Sequence, residues 1–373
     1  MPEDTNALGQ LLALAKRAYW HRGDRAPIGH LLDTFEALGM VTRAGLRPVL
    51  AHRHKTPTGW HLVWNLPPGI ASTDVLAKLP HLEEQSECRI ACRASGRLLH
   101  MELTTAPMPE RVDYEWRAVP DMALGVPIGH TVTGLLAVDL PDLPHMLVAG
   151  QTGSGKTTYL RGLAVAAVQA GAIVCVVDLK GLDFAHMAKT GHAVVADTES
   201  SATALLSALN RELDRRKRLL QAAGATKLQE YPDLPWVVAI VDELAELQDK
   251  ADQEALNRLA RLSRAVGICL VCATQRPSYS LFQRFTDTRM LFSGRLCFHM
   301  PDPTDSRLIL DTGAAAGLPP SLPGRAIWRH GRETEVQVMD LGAKQAQRLL
   351  TPITVREVRD IGDYCGRKRL PAR

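Results

Sequence analysis

One stretch constrains this chain more than any other: Gly150-Gln151-Thr152-Gly153-Ser154-Gly155-Lys156-Thr157, followed by Thr158. It satisfies G-x-x-x-x-G-K-[ST], and each position has a physical reason. Glycines at 150, 153 and 155 let the backbone curl until successive N–H groups face phosphate oxygens. A helix opening near Lys156 adds the positive end of its dipole. Lys156 can reach β- and γ-phosphates, and the Thr157 hydroxyl can ligate Mg²⁺. The bland alternative is a glycine-rich turn before a helix. Context argues against it, because residues 146–149 read as an apolar strand and residues 159–170 as a helix. Strand, loop, helix is the setting the motif requires. ATP and Mg²⁺ are therefore the expected cofactors, with residues 150–158 as the binding set.

From residue 171 onward, strand and helix patterns alternate, which predicts an α/β fold with a mostly parallel sheet. Residues 172–178, 236–242 and 268–274 are almost wholly apolar, as strands buried on both faces must be. Helices are expected over 200–221 and 253–266. The strand Trp236-Val-Val-Ala-Ile-Val ends in Asp242-Glu243, an acid pair suited to hold Mg²⁺ (Asp242) and to activate a water (Glu243). Gln275 ends the following strand at the same sheet edge, where an amide can bond a γ-phosphate or the lytic water. Asp178-Leu-Lys180-Gly181 ends the second strand there too, in a supporting role or in a local salt bridge.

The rest of the chain is less specific. With 46% hydrophobic and 23% charged residues it can bury an ordinary core, and a net charge of +4 makes any nucleic-acid surface local rather than global. The seven cysteines form no disulfide framework, which fits a reducing, cytoplasmic setting. Cys269-x-x-Cys272 resembles half a metal site, but within a strand the two side chains point to opposite faces. No stretch is apolar enough to span a membrane. Residues 1–38 read as a helical segment stopped by Gly39. Residues 39–120 read as a small α+β domain, with strands over 46–51, 59–65, 89–94 and 98–104 and a helix from a Ser72 cap through 79. This domain carries a basic, histidine-rich patch at His52, Arg53, His54, Lys55 and His61, more readily a solvated turn than a nucleic-acid contact. Residues 105–124 are Pro-rich and read as a linker, 125–140 as a hairpin, and 343–373 as a peripheral helical and basic tail.

Several blocks together resemble the motor domain of the FtsK/SpoIIIE family within the FtsK/HerA superfamily. They are Gly125-x-x-Ile128-Gly129, the phosphate loop, Asp178-Leu-Lys180, Glu212-Leu-Asp-Arg215-Arg216, Val241-Asp-Glu-Leu-Ala-Glu-Leu247, Ala273-Thr-Gln-Arg-Pro277 and Asp305-Ser-Arg307-Leu-Ile-Leu-Asp311. The resemblance implies a RecA-like ATPase core over 121–342, assembled as a hexameric ring that translocates duplex DNA. ATP would sit between subunits, with an arginine lent in trans: Arg307 first, then Arg264 and Arg216. DNA contacts would fall in loops 224–234 and 276–289, at Lys227, Arg276, Ser278, Arg284 and Arg289. Plasmid or integrative-element transfer is the implied context, with a relaxase or a membrane transfer component as partner. A coupling or secretion ATPase and a single-strand helicase-like motor remain as alternatives, and a nucleotide-gated scaffold is the rival from another class.

Overall fold

The computed structural model describes residues 28–353 apart from 57, 87, 105–106, 118–121, 133, 144, 232–233 and 285–290. The expected helix before residue 28 and the basic tail beyond 353 lie outside the described residues. The chain divides into two compact units, Met1–Met108 and Pro109–Arg373.

The first unit is a four-stranded antiparallel sheet with helices on one face. Helix α1 (Ile28–Ala37) buries Leu31 and Phe35, and Gly39 ends it at φ +69°, a conformation that glycine adopts without strain. Strands β1 (Val49–Thr56), β2 (Gly59–Asn65), β3 (Arg89–Ser95) and β4 (Leu98–Thr104) follow the order β1-β2-β4-β3. Trp64 of β2 meets Phe35 edge-on, with ring centroids 5.1 Å apart. The single helix expected over 72–79 is two, α2 (Ser72–Ala77) and α3 (Leu79–Ser86). Pro80 has no N–H for the Leu76 carbonyl and its ring would crowd that carbonyl in a continuous helix, so the first helix ends at Lys78. The cap falls at Ala71 rather than Ser72, and the Asp74 carboxylate accepts the Ala71 N–H.

The second unit is built on a ten-stranded sheet in the order β10-β9-β11-β12-β8-β13-β14-β15-β6-β7. The half from β10 to β13 is parallel: β8 (His145–Ala149), β9 (Ile173–Val177), β10 (Val194–Ala196), β11 (Val237–Val241), β12 (Ile268–Thr274) and β13 (Gly294–Phe298). The half from β13 to β7 is antiparallel, through β14 (Arg325–His330), β15 (Arg332–Gln337), β6 (Gly125–Thr131) and β7 (Gly134–Asp139). In β8, β9, β11 and β12 every residue is buried. Alternate side chains fill two cores. Helices α4 (Lys156–Gln169), α5 (Ala185–Lys189) and α10 (Ala343–Leu350) contribute to one. Helices α6 (Glu199–Ala222), α7 (Lys250–Leu262), α8 (Tyr279–Arg284) and α9 (Pro303–Leu310) contribute to the other. Cys269 lies in the first core and Cys272 in the second, as two residues three apart on a strand must. Burial pushes the Cys269 thiol up to about 12 and raises Cys272 as well, so neither is poised to ligate metal.

Two boundaries differ from the sequence expectation. The linker read over 105–124 belongs in part to the second unit, because Tyr114 and Trp116 bury into its core and the Tyr114 hydroxyl donates to the Gly162 carbonyl at 3.0 Å. Strand β5 (Val112–Asp113) also pairs with β16 (Met339–Asp340). The segment from 343 is not peripheral at its start, since Ala346 and Leu350 of α10 are fully buried. Apolar burial overrides the irregular, proline-rich appearance of the first and the polar composition of the second.

Arg216 holds this unit together. It is fully buried on α6, and its guanidinium donates to Glu212 at 2.6 Å and to the carbonyls of Pro235 (2.8 Å) and Val266 (3.0 Å). It thus ties α6 to the entrances of β11 and β12. We predict that Arg216→Ala destabilises the chain by about 3–5 kcal/mol, the cost of stranding a buried ionic partner. The exposed substitution Arg307→Ala should stay within about 0.5 kcal/mol. Urea unfolding followed by tryptophan fluorescence reads both.

Candidate active site

The phosphate loop leaves the end of β8, where the Gly150 N–H still donates to the Thr274 carbonyl of β12 at 3.3 Å. Gly153 (φ +80°) and Gly155 (φ +107°) then turn it through left-handed backbone. A methyl group at Gly150 would lie 2.5 Å from Ser154 Oγ and 2.7 Å from Phe298 Cβ, and one at Gly155 would lie 2.9 Å from the Gly324 nitrogen. The loop is therefore a cradle that excludes side chains, set at the N-terminus of the 14-residue helix α4. The Ser154 hydroxyl is buried within it and has no protein partner. An orphan donor in a nest of backbone N–H groups fits a bound phosphate.

The predicted acids and amide converge on this loop. Lys156 Nζ donates to Asp242 Oδ1 at 2.8 Å and to the Asp242 carbonyl at 2.6 Å, with both side chains 3% exposed. Glu243 Oε2 accepts the Gln275 backbone N–H at 2.8 Å, and Gln275 Oε1 accepts the Thr152 hydroxyl at 2.8 Å. The ends of β8, β11 and β12 are thus stitched by polar side chains. The two exchanges have the same physical origin: parallel strands in register bring their C-terminal ends to one edge.

Asp178, at the end of β9, does not form the salt bridge that the sequence allowed. Its carboxylate accepts N–H groups from Gly181, Asp183 and Phe184, which fixes the turn beyond the strand. That turn delivers Asp183, which the sequence reading missed. Carboxylate oxygens of Asp178, Asp183 and Asp242 lie within 4.8 Å of one another. Burial, then the charges of Asp242 and Asp178, hold the Asp183 carboxyl above its ordinary range, against the opposing pull of Arg161 at 3.7 Å. Carboxylate oxygens are the hard donors that Mg²⁺ prefers, although Asp178 already spends both oxygens on the turn.

Other candidates are not gathered here. Arg216 cannot act in trans, because it is buried and its donors are committed within its own unit. Arg307 and Arg264 are exposed, but Arg264 precedes β12 and so lies at the opposite sheet edge from Lys156. Exposed Lys227 lies at that opposite edge too, since Leu228 bonds the Ala265 carbonyl. Exposed Arg276 and half-buried Ser278 instead follow β12, about 23 Å away along its seven residues. Arg289 lies outside the described residues, and of Arg284 only its place at the end of α8 is described.

Residues 110–234 and 225–279 match the FtsK/SpoIIIE family, covering the loop, both acids and Gln275. This stretch belongs to the FtsK/SpoIIIE family. The DNA translocase SpoIIIE of Bacillus subtilis is 30% identical over 243 residues, which cover 58% of this chain and 30% of that protein. The DNA translocase FtsK of Listeria monocytogenes is 27% identical over 318 residues, covering 77% of this chain and 42% of that protein. The chain thus spans well under two thirds of either relative. Among solved structures, the pCW3 conjugation coupling protein TcpA, as a monomer with ATPγS, shares the fold at TM-score 0.62 and 24% identity, over 87% of this chain and 99% of that one. The type VII secretion ATPase EccC of Thermomonospora curvata shares it at TM-score 0.57 and 24% identity, over 67% and 34%. The FtsK/SpoIIIE domain is therefore an α/β fold of the P-loop ATPase kind.

Gly324 is a second residue that the sequence reading passed over. Its N–H donates to the Ser154 carbonyl at 2.8 Å, so the turn before β14 braces the apex of the loop. Only the dipeptide Pro323-Gly324 hinted at a tight turn there. We predict that Gly155→Ala, which sets a methyl group against Gly324 on left-handed backbone, costs about 1–3 kcal/mol. Gly317→Ala, with nothing within 4 Å of the added carbon, is the matched control and should be near neutral. The urea midpoints of the two variants compare them directly.

Proposed function

We propose that the chain is an ATP hydrolase that couples turnover to movement along double-stranded DNA, working as a hexameric ring. The observation that carries this reading is the meeting of Glu243 and Gln275 beside the Lys156–Asp242 pair at the lip of the phosphate loop. In it Lys156 leaves Asp242 to meet the β- and γ-phosphates, and the loop N–H groups and Ser154 take the remaining oxygens. Thr157 and Asp242 would hold Mg²⁺, which supplies charge neutralisation across the phosphates. Glu243 accepts a proton from the attacking water, and Gln275 orients that water or the γ-phosphate.

The family relationship supports the DNA part of the reading, and the relatives' names supply the translocase class. Arg307, exposed on α9, is the candidate to reach a neighbouring subunit's phosphate and stabilise transition-state charge. Lys227, Arg276 and Ser278 are the candidate DNA contacts, together with Arg284 at the end of α8 and Arg289. A role in transfer of a plasmid or integrative element, with a relaxase or membrane component as partner, is the context we propose. Among the described residues no helix is long and apolar enough to cross a membrane.

The deciding measurement is ATP turnover without DNA, with single strands and with duplex. We expect duplex to stimulate most. Glu243→Gln should keep ATP binding while turnover falls by a factor of about 10²–10⁴, whereas Lys156→Ala should abolish binding. Absence of any DNA stimulation would leave the secretion-type ATPase, and stimulation by single strands alone would leave the helicase-like motor.

A further inference from the structure

The sheet of the first unit has one face that its core does not use. Its helices pack on the side of Leu62, Trp64, Leu99, Met101 and Leu103. Strand alternation turns His61 of β2 and His100 of β4 to the other side. These are the two central strands, and their imidazole rings stack with centroids 5.6 Å apart and planes within 18°. Both rings are half-exposed. Pairing registers put His54 opposite His61, and Arg93 opposite His100. His52, His54 and Arg93 are exposed on this face, whereas Arg53 and Lys55 of edge strand β1 pair with Leu62 and Trp60 and so turn to the helix-packed side. Glu102, opposite His61, is the acid on this face among the described residues.

Planar rings spread across this face from His52 and His54 on β1 to His61 and His100 in its middle, and the long cation Arg93 stands at its β3 margin. Single-stranded nucleic acid is recognised by that division, with bases stacked on rings and phosphates drawn to flanking positive charge. A duplex hides its bases' faces and offers phosphates, which long cations in the centre would meet better. We propose that this open face binds single-stranded nucleic acid, with bases stacking on His61 and His100 and the backbone running towards Arg93. The site lies in the first unit and takes a different ligand from the duplex proposed for the motor, so the two readings fail separately.

The test uses the full chain without ATP. Fluorescence anisotropy measures the affinity for a labelled oligothymidine and for a duplex of equal length. Replacing both rings (His61→Ala with His100→Ala) should weaken single-strand binding roughly tenfold, the size of a lost stacked base, and leave duplex binding unchanged. The paired His61→Phe and His100→Phe variant keeps the ring faces and should restore affinity. It also guards against loss through misfolding, which circular dichroism reports independently. Unchanged single-strand affinity in the alanine variant overturns the proposal. So does an equal loss in the phenylalanine variant, or an equal loss for duplex, because charge rather than stacking would then carry the binding.

Discussion

Strands β8, β9, β11 and β12 are buried along their whole length, and the remaining chemistry follows from that constraint. A buried strand can satisfy its backbone through its neighbours, but it cannot carry a charge along its length. Polar side chains are therefore pushed to the strand ends. In-register pairing of β9, β11, β12 and β8 then gathers Asp178, Asp242, Glu243, Gln275 and the phosphate loop at one edge. Even His145, inside β8, is tolerated only because both ring nitrogens are used: Nδ1 accepts the Leu270 N–H at 3.1 Å, and Nε2 meets the Ala260 carbonyl at 2.8 Å.

Within that edge, the Lys156–Asp242 pair is the costly element. Taking both charges out of water is expensive, and their attraction offsets the penalty only because the Asp242 carbonyl and carboxylate both accept from the ammonium. In the function we propose, a phosphate entering the loop would offer Lys156 a stronger partner and release the carboxylate. The weaker exchanges, Thr152 to Gln275 and Gln275 to Glu243, link the same edge to the carboxylate we propose as the base. The free protein thus holds its reactive groups in mutual hydrogen bonds rather than leaving them exposed.

Much of this was legible in the sequence because it is local. The phosphate loop, the Asp242-Glu243 strand end, Gln275 and the strands 59–65 and 98–104 declare themselves by period and spacing within a few residues. What escaped depends on distant partners. Arg216 reads as a candidate for an arginine lent in trans, yet it is fully buried because Pro235 and Val266 supply carbonyls from other segments. Asp183 gains its role from a turn that Asp178 organises. Residues 109–117 look like a linker because no short-range signal reveals that Tyr114 will meet α4 at Gly162.

Gly324 carries a consequence for how this chain tolerates change. It stands at φ +87°, and a side chain there would meet Gln337 Nε2 at 2.6 Å and Val338 Cγ2 at 3.2 Å, while its own nitrogen is committed to Ser154. Left-handed backbone and two close neighbours therefore oppose any larger residue at a position far along the chain from the phosphate loop. The loop and this turn form one indivisible unit for substitution: a graft, a circular permutation or a domain cut that keeps residues 150–157 but separates them from 324 would carry the motif without its keystone.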